Sequence, residues 1–139
     1  MLQMSRKCVP YTPLATPLSD LSVAIVSSTG IYLADQHEPF NDNGDDSYRV
    51  LSADFDVANV RFKHGHYDTS EAEKDVNVVF PIERLREFAA NGVIRAVSNK
   101  HISFKGFSMD LKRQYEFLAP SIADELERSQ ADAVVLTGG

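Results

Sequence analysis

The strongest apolar pattern along the chain is LSVAIVSSTGIYL at positions 21–33. Its first half is a short apolar run rich in β-branched residues. It predicts a buried central strand, with Ser27-Ser28-Thr29-Gly30 as the turn that ends it. YRVLS (48–52) and NVRFKHG (59–65) predict two further strands. The intervening DQHEPFNDNGDDS (35–47) is acidic, carries Gly, Asn and Pro, and predicts a loop. Pro81 opens PIERLREFAANG and Gly92 closes it, which is the polarity expected of a helix. Ile82, Leu85, Phe88 and Ala89 give that helix one apolar face. VIRAVS (93–98) predicts a strand. From Asp110 to about Ser129, Leu111, Tyr115, Leu118, Ile122 and Leu126 recur at helical spacing. Pro120 within that stretch predicts a kink or break near Leu118-Ala119. DAVVLT (132–137) predicts the last strand.

Strands alternating with helices predict an α/β fold with a mostly parallel sheet and flanking helices, Rossmann- or flavodoxin-like. Such sheets bind ligands at the carboxyl ends of their strands. Two such ends are Ser27–Gly30 and Thr137–Gly139. No helix follows the last strand to cover the sheet, so the expected fold is incomplete at its C-terminus. Residues 1–20, with Pro10, Pro13 and Pro17, predict an extended arm. Residues 21–139 predict the α/β domain, read as the first half of a longer subunit. An uncovered sheet exposes apolar area, so self-association is expected.

Composition narrows the class. The chain has 139 residues, a net charge of −6 and 43% apolar residues, which fits one soluble domain. The charge argues against a nucleic-acid footprint, which needs a basic patch. The sequence shows neither an apolar stretch long enough to span a bilayer nor a secretory signal at its start. The single cysteine, Cys8, cannot form an internal disulfide, and a reduced cytoplasmic setting is expected.

Three clusters carry candidate chemistry. In KHGHYDT (63–69), an extended backbone would put His64, His66 and Asp68 on one face. They could hold a divalent metal, supply and orient a proton donor, or be a hydrogen-bonded strand end. In NKHISFKGF (99–107), Lys100, His101 and Lys105 stand among Ile102, Phe104 and Phe107. That is a wall suited to a small carboxylate, or a loop whose aromatics cap the core. In DDSYRV (45–50), Arg49 beside Tyr48 could clamp a carboxylate or simply pair with Asp45 or Asp46. SSTG (27–30) is a weak anion cradle with no dinucleotide fingerprint.

The order of five stretches is more specific. VPYTPLATPLSDLSVAIVSSTGIYL, EPFN…GDDSYRVL, HGHYDTSEAEKDVNVVFPIERLREFAANGVI, HISFKGF and ADAVVLTGG run in order across nearly the whole chain. In that order they resemble the selenoprotein B family of the glycine, sarcosine, betaine and D-proline reductases, nearest the D-proline-reductase-like branch. HISFKGF departs from the family's usual HYSFMGY, which alters the pocket edge at Ile102, Lys105 and Phe107. The resemblance implies a redox pair after the last strand, with selenocysteine expected just after Gly139 and a cysteine close behind. UGA encodes selenocysteine and is ordinarily read as stop.

It further implies a reductase that cleaves a C–N bond of D-proline, glycine, sarcosine or betaine. A pyruvoyl group on a partner subunit would hold the amino substrate, and a dithiol protein would supply electrons. On that reading His64, His66, Asp68 and His101 are the catalytic candidates. Tyr48, Arg49 and Lys100 are the candidates for substrate binding. A small-anion or partner-binding α/β module remains an alternative, as does a metal-dependent hydrolase using His64, His66 and Asp68. This chain lacks the nucleophile and is expected to be inactive alone.

Overall fold

The computed structural model describes residues 12–138. The first part of the expected arm and Cys8 lie outside the described residues, as does Gly139. Residues 12–17 run without regular structure and lead into one 3₁₀ turn, Leu18–Asp20.

The expected central strand is β1, Ser22–Ser27, buried at every position after the first. It is the hub of a five-stranded sheet. Along one edge it pairs in parallel first with β5 (Ala96–Val97) and then with β6 (Lys100–Phe104). Along the other it pairs in parallel with β7 (Ala133–Thr137), in the register Val23 to Ala133 through Ser27 to Thr137. β3 (Tyr48–Ser52) adds antiparallel to the outside of β6. The fold is therefore α/β with a mostly parallel sheet, as the sequence predicts. The residues after Gly30 leave the sheet. β2 (Ile31–Leu33) forms a separate antiparallel ribbon with β4 (Val60–Phe62).

Alternation along β1 divides the core between two faces. Val23 and Ile25 point into the larger cluster with Ile31, Leu51, Phe80, Ile82 and Leu85. Helices α1 (Ser70–Lys74) and α2 (Ile82–Ala90) supply that cover. Val26 and Ile102 point the other way, against Leu118 and Ile122. α2 begins beside Pro81 and is closed by Gly92, whose φ of +70° suits a residue without Cβ.

Four expectations are corrected. The strand expected over 59–65 ends at Phe62; the chain bends at Gly65–Tyr67 before α1, which the sequence reading did not anticipate. The strand expected over 93–98 shrinks to Ala96–Val97 because Val93 and Ile94 still fold back onto the end of α2, both donating to Phe88 O. The wall at 99–107 contains a strand, β6, between β1 and β3. Its charged start and inward His101 disguise the apolar alternation. The helix over 110–129 does not break at Leu118-Ala119. α3 (Leu111–Arg113) runs into a π segment (Gln114–Leu118) and then α4 (Ala119–Arg128). Pro120 has no N–H for the carbonyl four residues back and its ring crowds it. The turn before it widens, and Ala119 N–H bonds five residues back to Gln114 O.

β7 meets the expectation of exposed apolar area. Among the described residues it is paired only to β1, and Val134, Val135 and Leu136 are 38%, 36% and 77% exposed.

Candidate functional site

Four segments converge at the carboxyl ends of the parallel strands. They are Ser28–Gly30 after β1, Lys63–Tyr67 after β4, Lys105–Phe107 after β6, and Thr137-Gly138 at the end of β7. Backbone bonds hold them in register. Ser28 N–H donates to Thr137 O at 3.1 Å, Gly106 N–H to Ser28 O at 2.9 Å, and Lys63 N–H to Gly30 O at 3.0 Å. The approaches are close enough to require glycine at Gly30 and to leave little room for a side chain at Gly106. A Cβ on Gly30 (φ +70°) would lie 2.8 Å from Lys63 O, and one on Gly106 would lie 3.0 Å from Ser28 Cβ.

His64 and His66 stand in this crevice. They share it through a bend rather than along a strand face. His66 N–H donates to His64 Nδ1 at 3.3 Å, which leaves the proton of a neutral His64 on Nε2. The His64 ring lies 4.7 Å from the Tyr67 ring and meets His66 edge-on at 5.8 Å. His66 stacks on Phe107 at 3.7 Å. Burial, then the positive charge of Lys105, then His66, hold the His64 imidazole below its usual range. It is therefore neutral at neutral pH. Tyr67 Oη donates to Thr29 O at 3.0 Å, and burial pushes its phenol up to about 12.

Lys105 is the residue that sequence reasoning placed only in a general wall. It is 0% exposed, and its ammonium donates to Asn41 O at 2.8 Å and Asp42 O at 3.0 Å. No carboxylate among the described residues pairs with it. Asp42, the nearest in sequence to those carbonyls, is bridged instead to Lys63 at 3.0 Å. Next to this corner the strand register aligns three hydroxyls, with Ser27 facing Ser103 on one side and Thr137 on the other. Ser27 Oγ and Thr29 Oγ1 are 2.7 Å apart. Ser103 Oγ and Thr137 Oγ1 are buried without a hydrogen-bond partner. No motif marks these hydroxyls in the sequence; only the register of three distant strands assembles them.

The other candidates are placed elsewhere. Asp68 is turned away: its carboxylate accepts from Ser70 N–H at 2.9 Å at the start of α1. Among the described residues no three His, Cys, Asp or Glu side chains converge as a metal site, and the three-ligand reading of His64, His66 and Asp68 fails on geometry. His101 is 0% exposed in the core, with Nδ1 accepting from Ile25 N–H at 2.9 Å and the ring edge-on to Phe80. Burial, aided by Arg86, lowers its pKa to about 4. Lys100 sits at the opposite end of β6, bridged to Glu125 of α4. Arg49 holds the 38–47 loop. Its guanidinium donates to Glu38 O at 2.9 Å and Ser47 Oγ at 2.7 Å and lies 4.1 Å over the Phe40 ring. Asp45 is 3.9 Å away. Tyr48 faces the other side of the sheet, beside the smaller core cluster.

Comparison with known proteins agrees with the order of stretches described above. Residues 2–139 match the model of the family described as glycine/sarcosine/betaine reductase selenoprotein B. The chain is 38% identical over 130 residues to the D-proline reductase subunit gamma of Acetoanaerobium sticklandii, covering 93% of this chain and 53% of that one. It is 29% identical to the sarcosine reductase complex component B subunit beta of Peptoclostridium acidaminophilum, and 30% identical to the glycine reductase complex component B subunit gamma of Carboxydothermus hydrogenoformans. Those two matches cover 93% of this chain and 30% of each relative. The chain thus spans from about a third to about half the length of these relatives. No solved structure matches.

Proposed function

The chain belongs to the glycine/sarcosine/betaine reductase selenoprotein B family, and on that premise we propose that it forms part of a multi-subunit reductase that cleaves the C–N bond of a small amino acid. D-proline is the first substrate to test, because the relative at 38% identity is named a D-proline reductase subunit. The partners proposed are a pyruvoyl-containing subunit and a dithiol protein.

The observation that carries this reading is the crevice at the strand ends. It combines a neutral imidazole with its proton on Nε2, a buried lysine without a carboxylate partner, and buried hydroxyls free to donate. Reductive C–N cleavage sends two electrons to carbon and requires a proton for the departing nitrogen. His64 Nε2–H is placed to supply that proton, and His66 orients His64 through its backbone N–H. A selenolate or thiolate would attack substrate carbon as the C–N bond breaks. A neighbouring cysteine would then take that selenium or sulfur from carbon, which gains a proton, and the resulting Se–S or S–S bond would be reduced by the dithiol protein. The crevice suits the attacking anion. Lys105 makes it electropositive, and Gly138 brings the end of β7 beside Ser28, where a Cβ would stand 3.6 Å from Ser28 Oγ. Arg49 and Lys100 are engaged elsewhere, so the substrate carboxylate falls to donors in the crevice itself.

The test uses the chain in the assembled complex, assayed for substrate-dependent oxidation of a dithiol. D-proline, glycine, sarcosine and betaine are supplied in turn. Turnover with one of them, reduced about 10²-fold or more in His64→Gln and absent from the 139-residue chain alone, is the expected result. Equal turnover in His64→Gln would remove the proton-donor role, and no turnover with any of the four would remove the reductase reading. The buried unpartnered hydroxyls also suit a second reading, a module that only binds a small carboxylate. Calorimetric binding of D-proline without dithiol oxidation would favour it.

A further inference from the structure

A buried ammonium without a counter-ion is costly to keep, because desolvation removes its hydration shell. Lys105 is such a group. It is fully buried at the end of β6, and two of its three N–H bonds go to backbone carbonyls of one loop, Asn41 O and Asp42 O. Its own carbonyl is held from the other side, accepting from Gln114 Nε2 at 3.3 Å. The backbone of Lys105 bridges Thr29, one residue from the Gly30–Lys63 contact that carries His64. The side chain thus holds the 38–47 loop and the backbone holds the β1 turn, while Asp42 of that loop bridges Lys63 of the β4 bend at 3.0 Å.

We propose that Lys105 is a positioning residue of the crevice: its carbonyl-held ammonium pins the 38–47 loop over the strand ends and presents His64 as donor of its Nε2 proton. The inference rests on the proton-donor reading of His64. The groups around that imidazole are few. Lys105 approaches from β6, and His66 and Tyr67 from its own bend. Lys63 precedes it in sequence and is bridged to Asp42 of the pinned loop. No carboxylate contacts the ring among the described residues, so nothing opposes the influence of Lys105. Lys100, five residues earlier, cannot substitute, since it is bridged to Glu125 at the other end of the strand.

The test is a histidine NMR titration of the chain, with His64 assigned by loss of its signal in His64→Gln. In the wild-type chain the His64 midpoint lies below that of free imidazole and the neutral ring is protonated on Nε2. Lys105→Met is expected to raise the midpoint and to speed amide exchange over residues 41–45. Lys105→Arg, which keeps the charge, is expected to hold the midpoint low. An unchanged midpoint in Lys105→Met overturns the proposal. Should Lys105→Met fail to fold, amine labelling of the wild-type chain decides: Lys105 modified as fast as the exposed Lys74 and Lys112 overturns it, and strong protection supports it. None of these readouts depends on turnover. They therefore fail separately from the reductase reading, which His64→Gln tests in the assembled complex.

Discussion

Gly30 tolerates no side chain. Its φ of +70° disfavours any L residue, and a Cβ would stand 2.8 Å from the carbonyl oxygen of Lys63, the residue before His64. Gly30→Ala is expected to cost about 1–3 kcal/mol, measured by urea denaturation, and an unchanged midpoint would show that the turn can relax. His101 gives the chain a pH dependence of defined sign. Its folded pKa is about 4, below the ordinary value near 6.5, so the unfolded chain takes up a proton first as pH falls. The stabilisation is complete above about 6.5 and is lost between about 6.5 and 4, up to about 3 kcal/mol. Denaturation at pH 7 and pH 5 should show the fall, and His101→Gln should flatten it. At this scale the meeting of His64 and His66 is legible from residue type and spacing; their part in catalysis is what His64→Gln tests. Lys105 is not legible, because nothing in NKHISFKGF tells one lysine from the other. Only the strand register sends Lys100 to a surface bridge and Lys105 to the buried corner.

Among elements, α2 is the most readable, with Pro81 and Gly92 marking its ends and Ile82 and Leu85 its buried face. What the sequence does not show is how α2 is tied down. Arg86 reaches across to the loop after β3, donating from Nε and Nη2 to Ala53 O at 3.0 and 2.8 Å and to Phe55 O at 2.8 Å. A lysine ammonium cannot reproduce that planar fork. Arg86→Lys is expected to cost about 1–3 kcal/mol by thermal or urea unfolding, and a loss within error would show that the three bonds are replaced by water. β6 was hidden for a related reason. The parity rule for a half-buried strand needs polar residues outside, and here the inward positions hold His101 and Ser103, both 0% exposed. The irregularity expected near Leu118-Ala119 takes the form of a π segment ending at Leu118, because the proline acts on the carbonyls behind it. α1 is too short for its period to stand out.

For the whole molecule, the α/β class and the position of the crevice followed from strand order. The antiparallel β3 and the separate β2–β4 ribbon did not, since pairing partners depend on contacts far apart in sequence. Among the described residues β7 leaves an edge with Val134, Val135 and Leu136 exposed and no proline within Ala133–Thr137. Such edges associate. Light scattering is expected to show species larger than the monomer, reduced by Leu136→Lys; a strictly monomeric wild-type chain would contradict this.

The central place of β1 also governs the order of assembly. Its N-terminal residues pair with strands made near the end of the chain; the bond from Ser22 N–H to Asp132 spans 110 residues. At about 5–20 residues per second, synthesis of that interval takes on the order of ten seconds. Until Ala96–Phe104 are made, Val23, Ala24, Ile25 and Val26 have neither lateral neighbour, and the β7 side stays open until Ala133–Thr137 follow. The strand that becomes the most protected part of the sheet is thus the one exposed longest on the ribosome. Refolding from denaturant carries the same burden, since long-range parallel pairings close late and slowly.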